Sequence, residues 1–275
     1  MPTTRRAALA ILAAPALLRP SAARAQLFSW RLGHTAPESF PLHRRSVEAA
    51  EEVREKTGGD MVIDVQAEGR LGSQIGLLNQ VVKGGVELTP VTGQSLQSSM
   101  PSAVLPLIAF AWTGYAPLWQ ALDGQLGAAL REQMAQRAGL HAFDKAWDFG
   151  FRVVTTKGKA IKTAADMKDL RLRTVVEPEI VALFQALKAA PVAMPLPEAF
   201  RSIRLGLLDG QEGVIGLVRA AGFDAVQDRC ALTNHIWDGQ WLCMNAAAWR
   251  RLADRFKTAM ADAFGAAAVR QRADQ

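Results

Sequence analysis

Short apolar runs alternate with amphipathic stretches along the chain beyond residue 28, and that alternation confines the fold to the α/β class. Ser29–Gly33 reads as a strand. Pro41–Lys56 reads as a helix, with Val47, Ala50 and Val53 on one side and Glu48, Glu51, Glu52, Arg54 and Glu55 on the other. Thr57-Gly58-Gly59 ends it. Met61–Val65 is a second predicted strand. Ser73–Lys83 is a second helix with Ser73 as N-cap and Gly84 as stop, and Leu88–Val91 is a third strand. Connectors this short imply parallel strands joined by right-handed crossovers.

The second half continues the pattern. Pro117–Ala138 is predicted as one helix, with Leu140–Trp147 and Phe151–Thr155 as two strands. A helical turn at Ala165–Asp169 and a strand at Leu170–Val175 follow. The helix Pro178–Lys188 has Pro178 in its first turn. Val192–Met194 is a strand and Glu198–Leu207 a helix. Strands near Val226–Thr233 and Gln240–Asn245 flank His235, and helices Ala247–Asp254 and Phe256–Arg272 close the chain. No repeat or long polar linker separates these elements.

The net charge of +6 invites a nucleic-acid reading until the charges are located. Residues 1–25 hold Arg5, Arg6, Arg19 and Arg24 and no acid. The 32 Lys+Arg less these four stand against 26 Asp+Glu, leaving +2 and no basic block. A polyanion-binding role is excluded on that ground. Residues 1–25 themselves read as a cleaved export signal: Arg5-Arg6, an apolar run over Ala7–Leu18, and Ala23-Arg24-Ala25 before Gln26. The run is shorter than the roughly 20 residues a bilayer needs. The paired arginines fit a twin-arginine signal, and an ordinary secretory n-region carries arginine as well. Either route places the protein outside the bacterial inner membrane, in the periplasm. Cys230 and Cys243 have a spacing that permits a bridge, and two buried free thiols are the alternative.

Catalytic chemistry is not visible. His34, His43, His141 and His235 have no metal-ligand spacing, and there is no CxxC, no G-x-S-x-G elbow and no S-x-x-K. Gly69, Gly72 and Gly76 do not form a nucleotide-binding loop. No metal, cofactor or catalytic residue is therefore expected. What remains is arginine on strands. Arg152 stands near a strand start, after Trp147-Asp148-Phe149-Gly150-Phe151. In Arg171-Leu172-Arg173 the two arginines share one strand face.

In order and spacing, Trp147 to Glu212 resembles the solute-binding proteins of tripartite ATP-independent periplasmic (TRAP) transporters, the dicarboxylate-binding type. The resemblance is carried by Gly150-Phe151-Arg152, Ala165-Asp166-Met167, Leu170–Thr174, Phe184-Gln185-Ala186-Leu187 and Ala190–Met194. Glu198-Ala199-Phe200, Gly206–Glu212 and Thr233-Asn234-His235 continue it. Earlier segments agree, among them Arg31-Leu32-Gly33-His34 and Gly84–Leu88, so it runs from about Arg31 to Trp249.

The resemblance implies a two-lobe α/β periplasmic binding-protein fold with hinge-crossing strands. Residues 28–149 plus 238–275 would form lobe I and residues 150–237 lobe II. It implies a monomer that closes over a small organic acid and delivers it to TRAP permease membrane subunits. Arg173 matches the family's carboxylate-binding arginine and Arg152 its second pocket arginine. Thr35 and Thr92 would face the cleft from the first lobe and Gly213 from the second, with Trp147 and Trp237 as pocket walls or core. Departures are Asp169 for Gly, Lys188 within Leu187-Lys188-Ala189, and Gly213-Val214 where Asn-Pro is common. Family members continue for several dozen residues beyond the position of Gln275, so the C-terminal part of the second lobe is expected to be missing. The alternative to transport is a sensing or degenerate family member acting through a protein partner.

Overall fold

The computed structural model describes residues 27–275, and the signal segment read from the sequence lies outside them. The chain begins with β1 (Phe28–Gly33), α1 (Pro41–Lys56), β2 (Met61–Gln66), α2 (Gln74–Lys83) and β3 (Leu88–Thr92). Strand β1 lies parallel to both β2 and β3, as the short connectors require. The caps of α2 are those expected: the Ser73 side chain accepts from the Gly76 N–H, and Gly84 takes the left-handed conformation with φ 78°. Helix α1 buries Leu42, Ser46, Ala49, Ala50 and Val53. Val47 falls off that stripe and is exposed, against expectation.

A short α3 (Gly93–Leu96) leads into α4 (Tyr115–Leu122) and α5 (Gln125–Arg137), which replace the single helix expected over this stretch. The break is at Asp123-Gly124, where a Cβ on Gly127 would collide with the Leu122 carbonyl. The two strands expected over 140–155 are one 17-residue strand, β4 (Leu140–Thr156). Gly150, at φ 96°, carries it through a register shift instead of ending it.

Next come β5 (Arg171–Thr174), α6 (Pro178–Ala186), β6 (Ala190–Ala193), α7 (Leu196–Arg204), β7 (Gly210–Val214) and α8 (Ile215–Ala220). The last part holds β8 (Arg229–Ala231), β9 (Trp237–Asn245), α9 (Ala246–Arg251) and α10 (Asp254–Asp274). Strand β7 and helix α8 were not anticipated. Gly-Gln-Glu-Gly-Val has poor strand propensity, but pairing with β4 and β5 on its two sides overrides it.

The strand order is β2-β1-β3-β9-β4-β7-β5-β6, with β8 on β4. Leu140–Phe151 pairs with β9 in the first part of the sheet, and Arg152–Thr156 pairs with β7 in the second. Strand β4 therefore runs through both parts of the sheet, while β9 pairs only within the first. Helices α1 and α10 cover one face of the first part through Ala49, Val53, Met260, Phe264 and Ala267. Helix α10 also fixes the crossing. The Gln271 amide takes the Asp148 N–H at 2.8 Å and donates to the Asp148 carbonyl at 2.6 Å. Cys230 and Cys243 are free thiols. Cys243 is buried, and Cys230 is exposed rather than buried.

Candidate functional site

The parallel strands β5, β6 and β7 end on one edge of the second lobe, where β4 enters from the first. Such an edge, at the carboxyl ends of strands, is where α/β sheets bind ligands. Arg152 and Arg173 both reach it, from opposite faces of the sheet. On β7, Gln211 is the register partner of Arg173 and Val214 that of Arg152, three positions apart.

The two arginines differ in what they hold. Arg152 Nε donates to Glu212 Oε2 at 2.8 Å and Nη2 to Glu212 Oε1 at 2.9 Å, while Nη1 donates to Asp238 Oδ2 at 3.0 Å. All three nitrogens are engaged within the protein. Burial opposes the charge on Arg152, and Glu212 with Asp238 outweighs it, holding the guanidinium above its ordinary range. Burial likewise opposes the Glu212 charge, and Arg152 and His235 reverse the effect, taking its pKa down to about 2. His235 Nε2 stands 3.4 Å from Glu212 Oε2 and Nδ1 2.8 Å from Thr233 Oγ1.

Arg173 is 5% exposed and makes one hydrogen bond, from Nε to the Met194 carbonyl at 2.8 Å. Its two Nη groups have no hydrogen-bond partner among the described residues. Burial lowers its pKa, and Glu212 pulling up is countered by Arg152 pushing down. A buried guanidinium with an open fork is matched by a planar carboxylate, which accepts two parallel hydrogen bonds.

A free acceptor stands on the same sheet face. Gln227 Nε2 donates to the Thr155 carbonyl at 2.7 Å, which leaves Gln227 Oε1 to accept the Thr155 hydroxyl proton at 2.9 Å. Thr155 Oγ1 then accepts from Gln211 Nε2 at 3.0 Å. This relay fixes the Gln211 amide, whose Oε1 is buried without a partner. Gly213 leaves room beside it: a Cβ there would stand 3.7 Å from that oxygen.

The first lobe approaches through α3. Gln97 Nε2 donates to Glu179 Oε1 at 2.9 Å, and Gln94 lies beside Glu177. Burial raises the Glu177 pKa, with Arg152 opposing; burial also raises that of Asp238. Between α3 and α6 lies a cavity of about 260 Å³ whose lining includes Gln94, Leu107, Glu177, Glu179 and Ile180. Thr92 accepts from Gln74 Nε2 at 3.1 Å and caps α3 through the Ser95 N–H. Thr35 is exposed and lines a narrow cavity with His34, Gln74 and Gln240. Trp147 and Trp237 are each 1% exposed. Trp237 donates to Asp148 Oδ1 at 2.7 Å and packs edge-on against Trp119.

The edge thus gathers Arg152, Arg173 and Gly213, with Thr35 and Thr92 on the first lobe and both tryptophans in the core. The sequence reading gave no role to Glu212, Asp238, His235, Gln211 or Glu177. The available signal was Arg152 itself, since a buried arginine requires a carboxylate. No group of three or more His, Cys, Asp or Glu among the described residues is arranged to hold a metal. No helix among them is long and apolar enough to cross a membrane.

Comparison with known proteins agrees with this architecture. A solute-binding protein of Roseobacter denitrificans is 30% identical over 266 residues, covering 96% of this chain and 80% of the relative. The structure of a TRAP periplasmic solute-binding protein from Ochrobactrum anthropi, with its C-terminus bound in the ligand-binding pocket, superposes with a TM-score of 0.85 at 28% identity. That match covers 90% of this chain and 77% of the other. A TRAP solute-binding protein from Roseobacter denitrificans with bound L-galactonate gives 0.77 at 29% identity, covering 90% and 82%. The sequence profile of bacterial extracellular solute-binding protein family 7 matches residues 32–275, and the chain belongs to that family.

Proposed function

We propose that this chain captures a small organic acid anion in the periplasm, holds its carboxylate on Arg173, and hands it to the membrane subunits of a TRAP-type permease. The carrying observation is the contrast between the arginines: Arg152 is saturated by Glu212 and Asp238, whereas both Nη groups of the buried Arg173 are open. A buried charge without a partner is costly, so an anion that completes the fork is bound strongly. The L-galactonate held by the Roseobacter relative, a carboxylate on a polyhydroxyl chain, supports the same ligand chemistry.

Residues 28–149 with 238–275 act as one lobe and 150–237 as the other, closing on β4. Arg152 serves by holding Glu212. Thr35, Thr92 and Gly213 border the ligand, and Trp147 and Trp237 stiffen the wall behind it. The protein works as a monomer, carries an export signal at residues 1–25 and returns its ligand unchanged. A thermal-shift screen of organic acids tests the reading. An acid at 100 times its Kd should stabilise the protein by about 2.7 kcal/mol. Arg173→Ala should erase that shift. Failure of every carboxylate to shift the wild-type protein overturns the reading.

A further inference from the structure

We propose that the second lobe carries a second small-molecule site, a cavity apart from Arg173 that takes a soluble amphiphile with an apolar body and one anionic head.

The cavity lies between the loop at Phe110, segment 161–167 beyond β4, the end of α6 and the turn 231–235. Its volume is about 400 Å³, within the roughly 300–1,000 Å³ of sites that hold small organic molecules. It shares no lining residue with the cavity at Gln94 or the narrow one at Thr35, and Arg173 is not among its walls. Met167, Phe184 and His235 are its buried side, while Phe110 and Leu232, 56% and 74% exposed, stand at its rim. Exposed apolar side chains are ordinary when scattered singly; here two from distant segments flank one concavity. Phe110 is fixed there, because its N–H donates to the His235 carbonyl at 2.8 Å and its backbone is left-handed at φ 58°. A bulky residue rarely adopts that conformation, and positions that hold one against this cost cluster at ligand clamps. The polar side of the cavity is cationic. Its lining contains no carboxylate, and the exposed Lys162 has no ion-pair partner among the described residues. Asp166 is turned onto the backbone instead: its Oδ2 accepts from the Lys162 N–H, the Thr163 N–H and the Thr163 hydroxyl. The Lys162 ammonium is thus a free point charge on a flexible stem at the mouth of an apolar cavity, which suits one anionic head above an apolar body.

The probe is anilinonaphthalene sulfonate, whose fluorescence rises as it leaves water, titrated into the purified chain beside its uncharged parent phenylnaphthylamine. The expected result is saturable binding of one sulfonate per chain. Lys162→Gln should weaken the sulfonate about tenfold, the loss of one ionic contact, and leave the uncharged parent within about threefold. Leu232→Glu should weaken both by about tenfold or more, since it removes an apolar wall and sets a charge at the rim. Both replaced side chains are exposed, so cooperative unfolding should persist, and a thermal melt checks it. Arg173→Ala should leave both probes within about threefold of wild type, which separates this site from the anion site. Wild-type protein without a saturable phase of one sulfonate per chain overturns the proposal. Unchanged sulfonate affinity in Lys162→Gln or in Leu232→Glu does so as well, and loss of binding in Arg173→Ala would put the probe on the other site. Sedimentation velocity covers the remaining occupant: a dimer that Leu232→Glu disperses would assign the cavity to a second copy of the chain and overturn the small-molecule reading.

Discussion

Arg152 and Glu212 meet through two parallel hydrogen bonds, Nε to Oε2 and Nη2 to Oε1, with side chains 8% and 0% exposed. The pair joins β4, which crosses between the lobes, to β7 in the middle of the second. Glu212 Oε1 also accepts the Val175 N–H at 3.1 Å, at the exit of β5. One carboxylate therefore ties three strands to one guanidinium, and Arg173 is left as the arginine with donors to spare.

Breaking that pair should be costly on either side. Glu212→Gln leaves Arg152 buried with only Asp238 as a charged partner, and the loss of a buried pair member typically costs about 3–5 kcal/mol. Replacing both, Arg152→Met with Glu212→Leu, should cost clearly less than the sum of the single changes. Urea denaturation of Arg152→Met, Glu212→Leu and the double variant measures the coupling, and additive costs would show the pair to be uncoupled.

Acid should destabilise the protein in two overlapping steps of the same sign. Burial lowers the His34 pKa to about 4, with His43 adding to it, and burial lowers that of His141 to about 4. The unfolded chain protonates these histidines near 6.5 and the folded chain does not, so stability rises with pH between about 4 and 6.5. Each contributes up to about 1.4 kcal/mol per pH unit. Glu212 has a depressed folded pKa of about 2, so its contribution is present above about 4.5 and is lost as pH falls toward 2. Denaturation midpoints from pH 2 to 8 should climb to a plateau above pH 7. His141→Phe should flatten the segment between 4 and 6.5, and an unchanged slope would exclude His141.

Two buried glycines should respond oppositely to a methyl group. At Gly239 a Cβ would collide with the Trp237 ring and stand 2.8 Å from the Trp147 carbonyl oxygen. Trp237 is fixed by its hydrogen bond to Asp148, so Gly239→Ala should cost about 1–3 kcal/mol by overpacking. At Gly213 the nearest atoms would lie at 3.7 and 3.8 Å, ordinary contact distance. Gly213→Ala should be neutral or stabilise by up to about 1 kcal/mol through the unfolded state. Thermal midpoints separate the two, and equal losses would refute the distinction.

The parallel β1–β2–β3 unit and both caps of α2 were legible because they follow from local patterning. What patterning could not supply was pairing. Strand β7 lies in a stretch of glycine and polar residues that is strand only because β4 and β5 flank it. Asp148-Phe149-Gly150 reads as a breaker, yet β4 runs through it, held by Gln271 from 123 positions away. The same limit governs the site. Arg152 and Arg173 stood out as strand arginines within a recognisable family pattern. Glu212 and Asp238 are 60 and 86 positions from Arg152, and nothing local marks them as its partners. The Gln211 acceptor is freed by Gln227, itself placed by a hydrogen bond 72 positions back to Thr155.

Arg173 carries the most exposed expectation. In a closed cleft, removing one partner of a buried charge pair typically costs about 3–5 kcal/mol. At about 1.4 kcal/mol per tenfold, Arg173→Ala should weaken binding of an organic acid by hundreds-fold or more. Arg173→Lys keeps a charge but loses the planar fork and the Nε bond to Met194, so it should recover only part of the loss. Arg171→Ala is the control. Its side chain is 49% exposed and paired to Asp209 at the surface, and an exposed pair of this kind is worth about 0–1 kcal/mol. Arg171→Ala should therefore leave binding unchanged. Calorimetric titration of the three variants with one acid that binds the wild type decides the matter. Arg173→Ala binding within a few-fold of wild type, in a protein that still unfolds cooperatively, would remove Arg173 from the site.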